Sequence, residues 1–269
     1  MTALLVQEGN PLATVQDAGR WGFQHLGVSP GGPMDPDAFR LAQARVGNGP
    51  SQACIEFAGA GLSLRAEGDL LLASSEGGPA LRLSDGEPVE IPPPCRVWAY
   101  LSVAGGIDVP VVLGSRSTHL RAGFGGFEGR ALRAGDRLPL GAASAPLAPP
   151  PVKERDPWGK DPSEVRISWT GAPCRILSEG VFTPGRLCDR MGYRLEGPRL
   201  EGPFPEARSL PTVAGAVQAT PDGGVIVLMA DRQTTGGYPV IAVVRREDLG
   251  RLAQRRTGEA LRFRPVPGG

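Results

Sequence analysis

The apolar residues of this chain arrive in short runs, rich in β-branched side chains, that are closed by glycine, proline or a small polar cluster. CRVWAYLSVA at 95–104, DVPVVLG at 108–114, EVRISW at 164–169, GVIVLM at 224–229 and PVIAVV at 239–244 are the clearest. Runs of this length match buried strands and are too short for buried helices. With 39 glycines and 28 prolines cutting the chain between them, they predict a mainly β fold. None approaches the roughly 20 residues of a membrane-spanning helix. The opening MTALLVQEGN meets a charge and a Gly-Asn turn before a signal-peptide core can form, so a cytoplasmic protein with no membrane partner is expected.

Two segments read as helices. Asp37 to Val46 has Asp35 placed to cap it, Pro36 in the first turn and Gly47 as the stop. Glu247 to Arg256 carries acid at its start and base at its end, with Gly258 beyond, in accord with the helix dipole.

Residues 141–162, GAASAPLAPPPVKERDPWGKDP, lack periodicity and read as a Pro- and Ala-rich linker between domains at 1–140 and 163–269. The two halves share a pattern. GRWGFQHLGVSPGGP at 19–33 aligns without gaps on DRMGYRLEGPRLEGP at 189–203, and each half closes on a related turn, GDRL at 135–138 and GEAL at 258–261. A duplicated β domain is expected, with the cleft between the halves as the natural place for a site.

Lys and Arg total 29 against 28 for Asp and Glu, a net charge of +1, which makes no electrostatic case for nucleic acid. Four scattered cysteines and two histidines without C-x-x-C spacing predict no metal site. Phosphate-loop, nucleophile-elbow, H-E-x-x-H and dinucleotide motifs are missing, so no familiar motif binds ATP or NAD.

The richest polar stretch is DRQTTGGYPVIAVV at 231–244, which follows one apolar run and leads into the next. It offers the planar cation of Arg232, the carboxamide of Gln233, the hydroxyls of Thr234 and Thr235, the open backbone of Gly236 and Gly237, and Tyr238. These suit a small anion or a polarised carbonyl; the same residues also suit a glycine hairpin that satisfies its own backbone. Arg232, Gln233 and Thr234 are the catalytic candidates here. His25 joins them as a general base, or else packs beside Phe23 and Leu26. Ser115, Arg116 and Thr118, with Ser117, either cradle a carboxylate or cap a turn. Arg20 and Arg190 either bind substrate or pair with Asp17, Asp189 or turn carbonyls. Gln218 belongs with them through its cluster, GAVQATPDG at 215–223.

Four stretches taken together carry a resemblance: TVQDAGRWGFQHLGVSPGGPMD, LSVAGGIDVPVVLGSRSTHLRAGFGGFEGR, DRMGYRLEGP, and QATPDGGVIVLMADRQTTGGYPVIAVV with DLGRLAQ. They resemble the biotin-dependent carboxyltransferase or allophanate hydrolase subunit 2 family, from about residue 5 to about residue 265. Stand-alone bacterial members of that family include KipA and the C subunit of the ATP-dependent 5-oxoprolinase. The resemblance implies tandem cyclophilin-like β-barrels, a KipI-like B subunit as partner and, for the oxoprolinase, an A subunit as well. It also implies ATP as co-substrate of the complex. The chain has no biotin-attachment segment of the A-M-K-M kind, which points away from the large fused urea carboxylases. Three alternatives stay open: lactam opening, carboxyl transfer to a urea-like amide, and a KipA-type regulator without turnover. Trp21 stands where relatives often carry proline and His119 where an acidic residue is frequent.

Overall fold

The computed structural model describes residues 2–143, 163–172, 174–204 and 208–266. The chain is mainly β, with eighteen strands and three short α-helices among the described residues. It divides into two compact units. The first takes residues up to Trp21 and resumes at Gly31; the second takes Gly22–Pro30 together with the C-terminal part of the chain. A short piece of the 1–140 stretch therefore packs with the C-terminal unit. Most of the linker segment at 141–162 lies outside the described residues.

The first unit holds β1 (Ala3–Glu8), β2 (Thr14–Gln16), α1 (Pro36–Arg45), β3 (Cys54–Ala58), β4 (Leu62–Glu67), β5 (Leu70–Ser74), β6 (Leu81–Leu83), β7 (Pro88–Ile91), β8 (Trp98–Val103) and β9 (Arg137–Pro139). They form two antiparallel sheets, ordered β7-β4-β1-β9 and β2-β3-β8-β5-β6. Successive side chains on a strand point to opposite faces, and the sequence uses both. Leu4, Val6, Leu62 and Leu64 from the first sheet meet Ile55, Phe57, Leu72, Leu101 and Val103 from the second in one core. The intervening residues of the second sheet face away from that core. There Leu71 and Ala73 pack with Val46 just beyond α1, and Tyr100 meets Phe39 of α1 edge to face at 6.0 Å.

That second face also buries a carboxylate. Glu56, 0 % exposed, accepts from the Met34 amide at 2.8 Å and from the Tyr100 hydroxyl at 2.7 Å. The same hydroxyl accepts from the Asp35 amide at 2.8 Å. Burial, and then the charge of Glu56, push the Tyr100 hydroxyl well above its ordinary pKa. Asp35 caps α1 through the amides of Asp37 and Ala38, and Gly47, at φ 74, ends it, as its sequence predicts.

The second unit holds β10 (Glu164–Trp169), α2 (Arg175–Glu179), β11 (Thr183–Cys188), β12 (Gly192–Glu196), β13 (Leu210–Pro211), β14 (Ala216–Ala219), β15 (Val225–Leu228), β16 (Thr235–Gly236), β17 (Val240–Val244), α3 (Leu249–Ala253) and β18 (Arg262–Pro265). Seven of these strands form one sheet, β11-β12-β15-β14-β17-β10-β18, antiparallel except for β10 with β18. Val165, Ile167, Val217, Val227, Ala242, Val244 and Phe263 are buried.

The second predicted helix is shorter than its charge pattern suggests: a 3-10 turn at Arg246–Asp248 leads into α3. Asp248 makes no capping bond. Its carboxylate instead accepts from the amide, Nε and Nη2 of Arg166, each at 2.8 Å. Burial opposes ionisation of Asp248, but the Arg166 bonds and the Arg251 charge hold its pKa below the usual carboxylate value. A depressed folded-state pKa stabilises above the unfolded value and is lost as pH falls through the folded one. Asp248→Asn is expected to cost about 2 kcal/mol near neutrality, the exposure of Arg166 holding it below the value for a fully buried pair. In urea melts the wild type should approach the variant as pH falls below about 4; a gap that persists at low pH would exclude the ionic origin.

The run at 108–114 is not a strand. It is irregular, bridged only between Val112 and Ser115, with Leu113 at φ 51. The two closing turns do correspond. Gly135 and Gly258 sit at φ 89 and 79, and the following acid accepts from the amide three residues upstream, Asp136 from Arg133 and Glu259 from Arg256. The longer repeat does not. Residues 192–196 are strand β12 whereas 24–26 are a 3-10 turn, so in a chain so rich in glycine the shared glycines mark different turns.

Candidate functional site

The loop from 229 to 239 joins β15 to β17, yet these strands are not neighbours: β14 lies between them, antiparallel to both. β15 and β17 are therefore parallel, and the connection cannot be a tight hairpin. It has to return along the length of β14. The hairpin reading of DRQTTGGYP falls on this topology.

Several contacts hold the loop in place. Its own β16 pairs with β13, and Thr212, next to β13, donates its amide to the Thr234 carbonyl at 3.0 Å and its hydroxyl to the Gln233 carbonyl. The Gly22–Pro30 segment adds a bond from Gln24 Nε2 to the Thr212 carbonyl at 3.3 Å and one from Ser29 Oγ to the Ala230 carbonyl at 3.3 Å. Beneath the loop, the register of β14 against β17 shifts between Val217 and Gln218, and such irregularities re-aim side chains. Gln218 is 1 % exposed. A Cβ on Gly236 would stand 2.9 Å from Gln218 Nε2 and 3.3 Å from Gln233 Nε2. Glycine at 236 is what lets the two carboxamides approach.

Charge in the loop is unbalanced. Arg190, just before β12, pairs with Asp231 through Nε and Nη2 at 2.7 and 2.9 Å, both side chains buried. Asp231 is thus occupied. Its neighbour Arg232 is 3 % exposed, has only a long 3.5 Å bond from Nη1 to the Met229 carbonyl, and buries an Nε with no partner among the described residues. Burial lowers the Arg232 pKa, with Asp231 opposing. A guanidinium held this way is a ready receptor for an anion, because a bound carboxylate would satisfy the donor and the charge together.

The hydroxyl cluster at 115–118 lies in the other unit and already holds a carboxylate, that of Asp17. Ser115 Oγ and Ser117 Oγ donate to Asp17 Oδ1 at 2.6 and 2.7 Å, and the Gly19 amide adds a third bond at 2.9 Å. The Arg116 amide donates to Oδ2 at 2.5 Å. Thr118 Oγ1 donates to the Val15 carbonyl, and the Arg116 side chain is held by the Val109 carbonyl and Asp108. Arg20 meets turn carbonyls, as one of its two sequence readings expects. It donates to the carbonyls of Ser117 and Val112 and lies 4.7 Å from the centre of the Phe124 ring, against which His119 stacks. Arg190 pairs with Asp231, and Asp189 accepts from the amides of Met191 and Gly192.

Of the predicted site residues, then, Gln218, Gln233, Thr234, Thr235, Gly236 and Tyr238 come together around one loop, with Gly237 and Arg232 in its backbone and Arg190 bracing it. Tyr238 contributes its carbonyl, 3.5 Å from Gln218 Nε2. His25 sits on the 3-10 turn beside Gln24 and is exposed, as is Leu26, so it does not pack as a core histidine. Sequence reasoning missed Thr212, Gln24 and Asp231 as supports. Only Asp231 carried a signal, through its place directly before Arg232.

Residues 26–265 match the family described as carboxyltransferase domain, subdomain A and B. The chain is 36 % identical to the C subunit of 5-oxoprolinase from Escherichia coli strain K12, over 93 % of this chain and 87 % of that one. It is 33 % identical to urea amidolyase of Lachancea kluyveri over 94 % of its own length but 16 % of that protein. Against the solved structure of TTHA0988 the TM-score is 0.86 at 35 % identity, covering 98 % of this chain and 56 % of the other. The chain spans about half the length of that solved protein.

Proposed function

The chain belongs to the carboxyltransferase domain family, subdomains A and B, and from that membership we propose that it is the C subunit of an ATP-dependent 5-oxoprolinase. In this reading it works with a KipI-like B subunit and the oxoprolinase A subunit to open 5-oxo-L-proline to L-glutamate. The observation that carries the reading is the buried, unbalanced Arg232 in a loop lined by carboxamides and hydroxyls. The substrate is a small carboxylate with a polarised amide, and the loop offers a counter-charge for the first and hydrogen-bonding groups for the second.

Lactam resonance makes the ring carbonyl a poor electrophile. ATP answers this chemically: the lactam oxygen takes the γ-phosphoryl group and ADP leaves, water adds to the activated carbon, the C–N bond breaks to release the amine, and a second water cleaves the resulting acyl phosphate to glutamate and phosphate. In this scheme the chain holds and orients the ring, and ATP is bound elsewhere in the complex.

The test is ATP-dependent glutamate release from 5-oxoproline by this chain co-purified with its two partner subunits, against the same mixture lacking the chain. Release that requires all three supports the reading. Release indifferent to this chain overturns it. The similarity to urea amidolyase favours a second reading, carboxyl transfer to a urea-like amide; it requires a biotin-carrying partner, and carboxylation of urea by the complex would select it.

A further inference from the structure

We propose that Gln233 and Gln218 recognise the amide edge of the ring, making them the residues that separate a lactam from a plain cyclic carboxylate; this rests on the oxoprolinase reading of the same loop. Among the described residues the Gln233 carboxamide has no hydrogen-bond partner, although its backbone carbonyl is fixed by Thr212. Its side chain is half-buried and therefore reachable. Gln218 is buried, and its Nε2 makes only the long 3.5 Å bond to the Tyr238 carbonyl. Both nitrogens crowd the bare face of Gly236, where a Cβ would stand 2.9 and 3.3 Å from them, so the missing side chain is what lets the two carboxamides converge.

A five-membered lactam is locked cis, so its N–H and C=O lie side by side on one edge. A primary carboxamide carries the complementary pair, an Nε2 donor for the carbonyl and an Oε1 acceptor for the N–H, and matches that edge with two parallel hydrogen bonds. Gln233 supplies this pairing. Gln218 Nε2 gives the carbonyl oxygen, which has two lone pairs, a second donor. Ring opening turns the edge into an ammonium and a carboxylate, neither of which presents the same pair, so product loses these bonds. Positioning comes from Thr212, which holds the Gln233 backbone, and from the β14 register shift, which directs Gln218.

Calorimetric binding to the assembled complex tests this with two ligands, 5-oxo-L-proline and cyclopentanecarboxylate, which keeps ring and carboxylate but lacks the amide. The wild type should prefer the lactam by about 30-fold or more, since a site built to hydrogen-bond a group rejects the analogue lacking it. Gln233→Met and Gln218→Met, which keep side-chain length and lose the amide donor and acceptor without adding a charge, should bring that preference to within about 3-fold while moving the affinity for cyclopentanecarboxylate by less than about 3-fold. A preference that survives both substitutions, a parallel weakening of both ligands, or no preference in the wild type would each overturn the proposal. Lactam binding with the predicted preference but no glutamate release would sink the oxoprolinase reading and leave amide recognition standing.

Discussion

Asp17→Ala is expected to destabilise the first unit by about 4 kcal/mol or more, a larger loss than Asp248→Asn causes in the second. The Asp17 carboxylate accepts from two buried hydroxyls and two backbone amides. Ser115 and Ser117 are 1 % and 0 % exposed, so no water is at hand to take the place of the lost oxygens. Each buried donor left without an acceptor costs about 1–3 kcal/mol; the hydroxyls can rotate toward other acceptors, but the amides cannot. Ser115→Ala removes one donor from a carboxylate that retains three and should cost about 1 kcal/mol. Urea denaturation followed by circular dichroism measures both, and similar losses for the two variants would show that the carboxylate is not the centre of this network.

Arg232 should show the opposite balance of stability and activity. Arg232→Met keeps side-chain volume and removes a buried charge whose neighbouring acid, Asp231, is already bound by Arg190. The variant should melt no lower than the wild type, because replacing an uncompensated buried ion by an apolar group of similar size is neutral or stabilising. In the assembled complex its kcat/KM should nonetheless fall about 10³-fold, the scale set by losing a charge-assisted contact in a buried site. Arg232→Lys keeps charge without the planar fork and should fall between, down about 10²-fold. Thermal melts with steady-state kinetics decide the matter. A variant that loses stability and activity together would make Arg232 a structural residue.

The two arginines that look equivalent in sequence, Arg20 and Arg190, have different surroundings, and the contrast shows where sequence reading stops. Each follows a polar residue or a glycine and stands two positions before a glycine, Gly22 or Gly192. Arg20 meets carbonyls and an aromatic face from residues 112–124, while Arg190 meets an aspartate 41 positions along the chain. Nothing near either residue states its partner. The hydroxyls at 115–118 pose the same problem: their pattern suits a carboxylate, and only the chain path supplies it from Asp17, 98 to 100 positions away.

Local and statistical features were legible in the chain alone. Short β-branched runs specified a mainly β protein, the Asp35-Pro36 start and Gly47 stop set α1, the paired G-[DE]-x-L turns marked two matching geometries, and long motifs placed the chain in its family. Each is written in neighbouring residues, because strand period, helix caps and turn dihedrals depend on a few bonds. The tertiary structure decided the rest. It put β14 between β15 and β17 and so turned an apparent hairpin into a crossover, brought Gln218 and Gln233 onto the bare face of Gly236, and gave Asp231 to Arg190, leaving Arg232 with a buried donor. Those outcomes depend on strand order and on contacts between residues far apart in the chain, and a buried charge becomes uncompensated only once the fold has chosen which acid its neighbour will take.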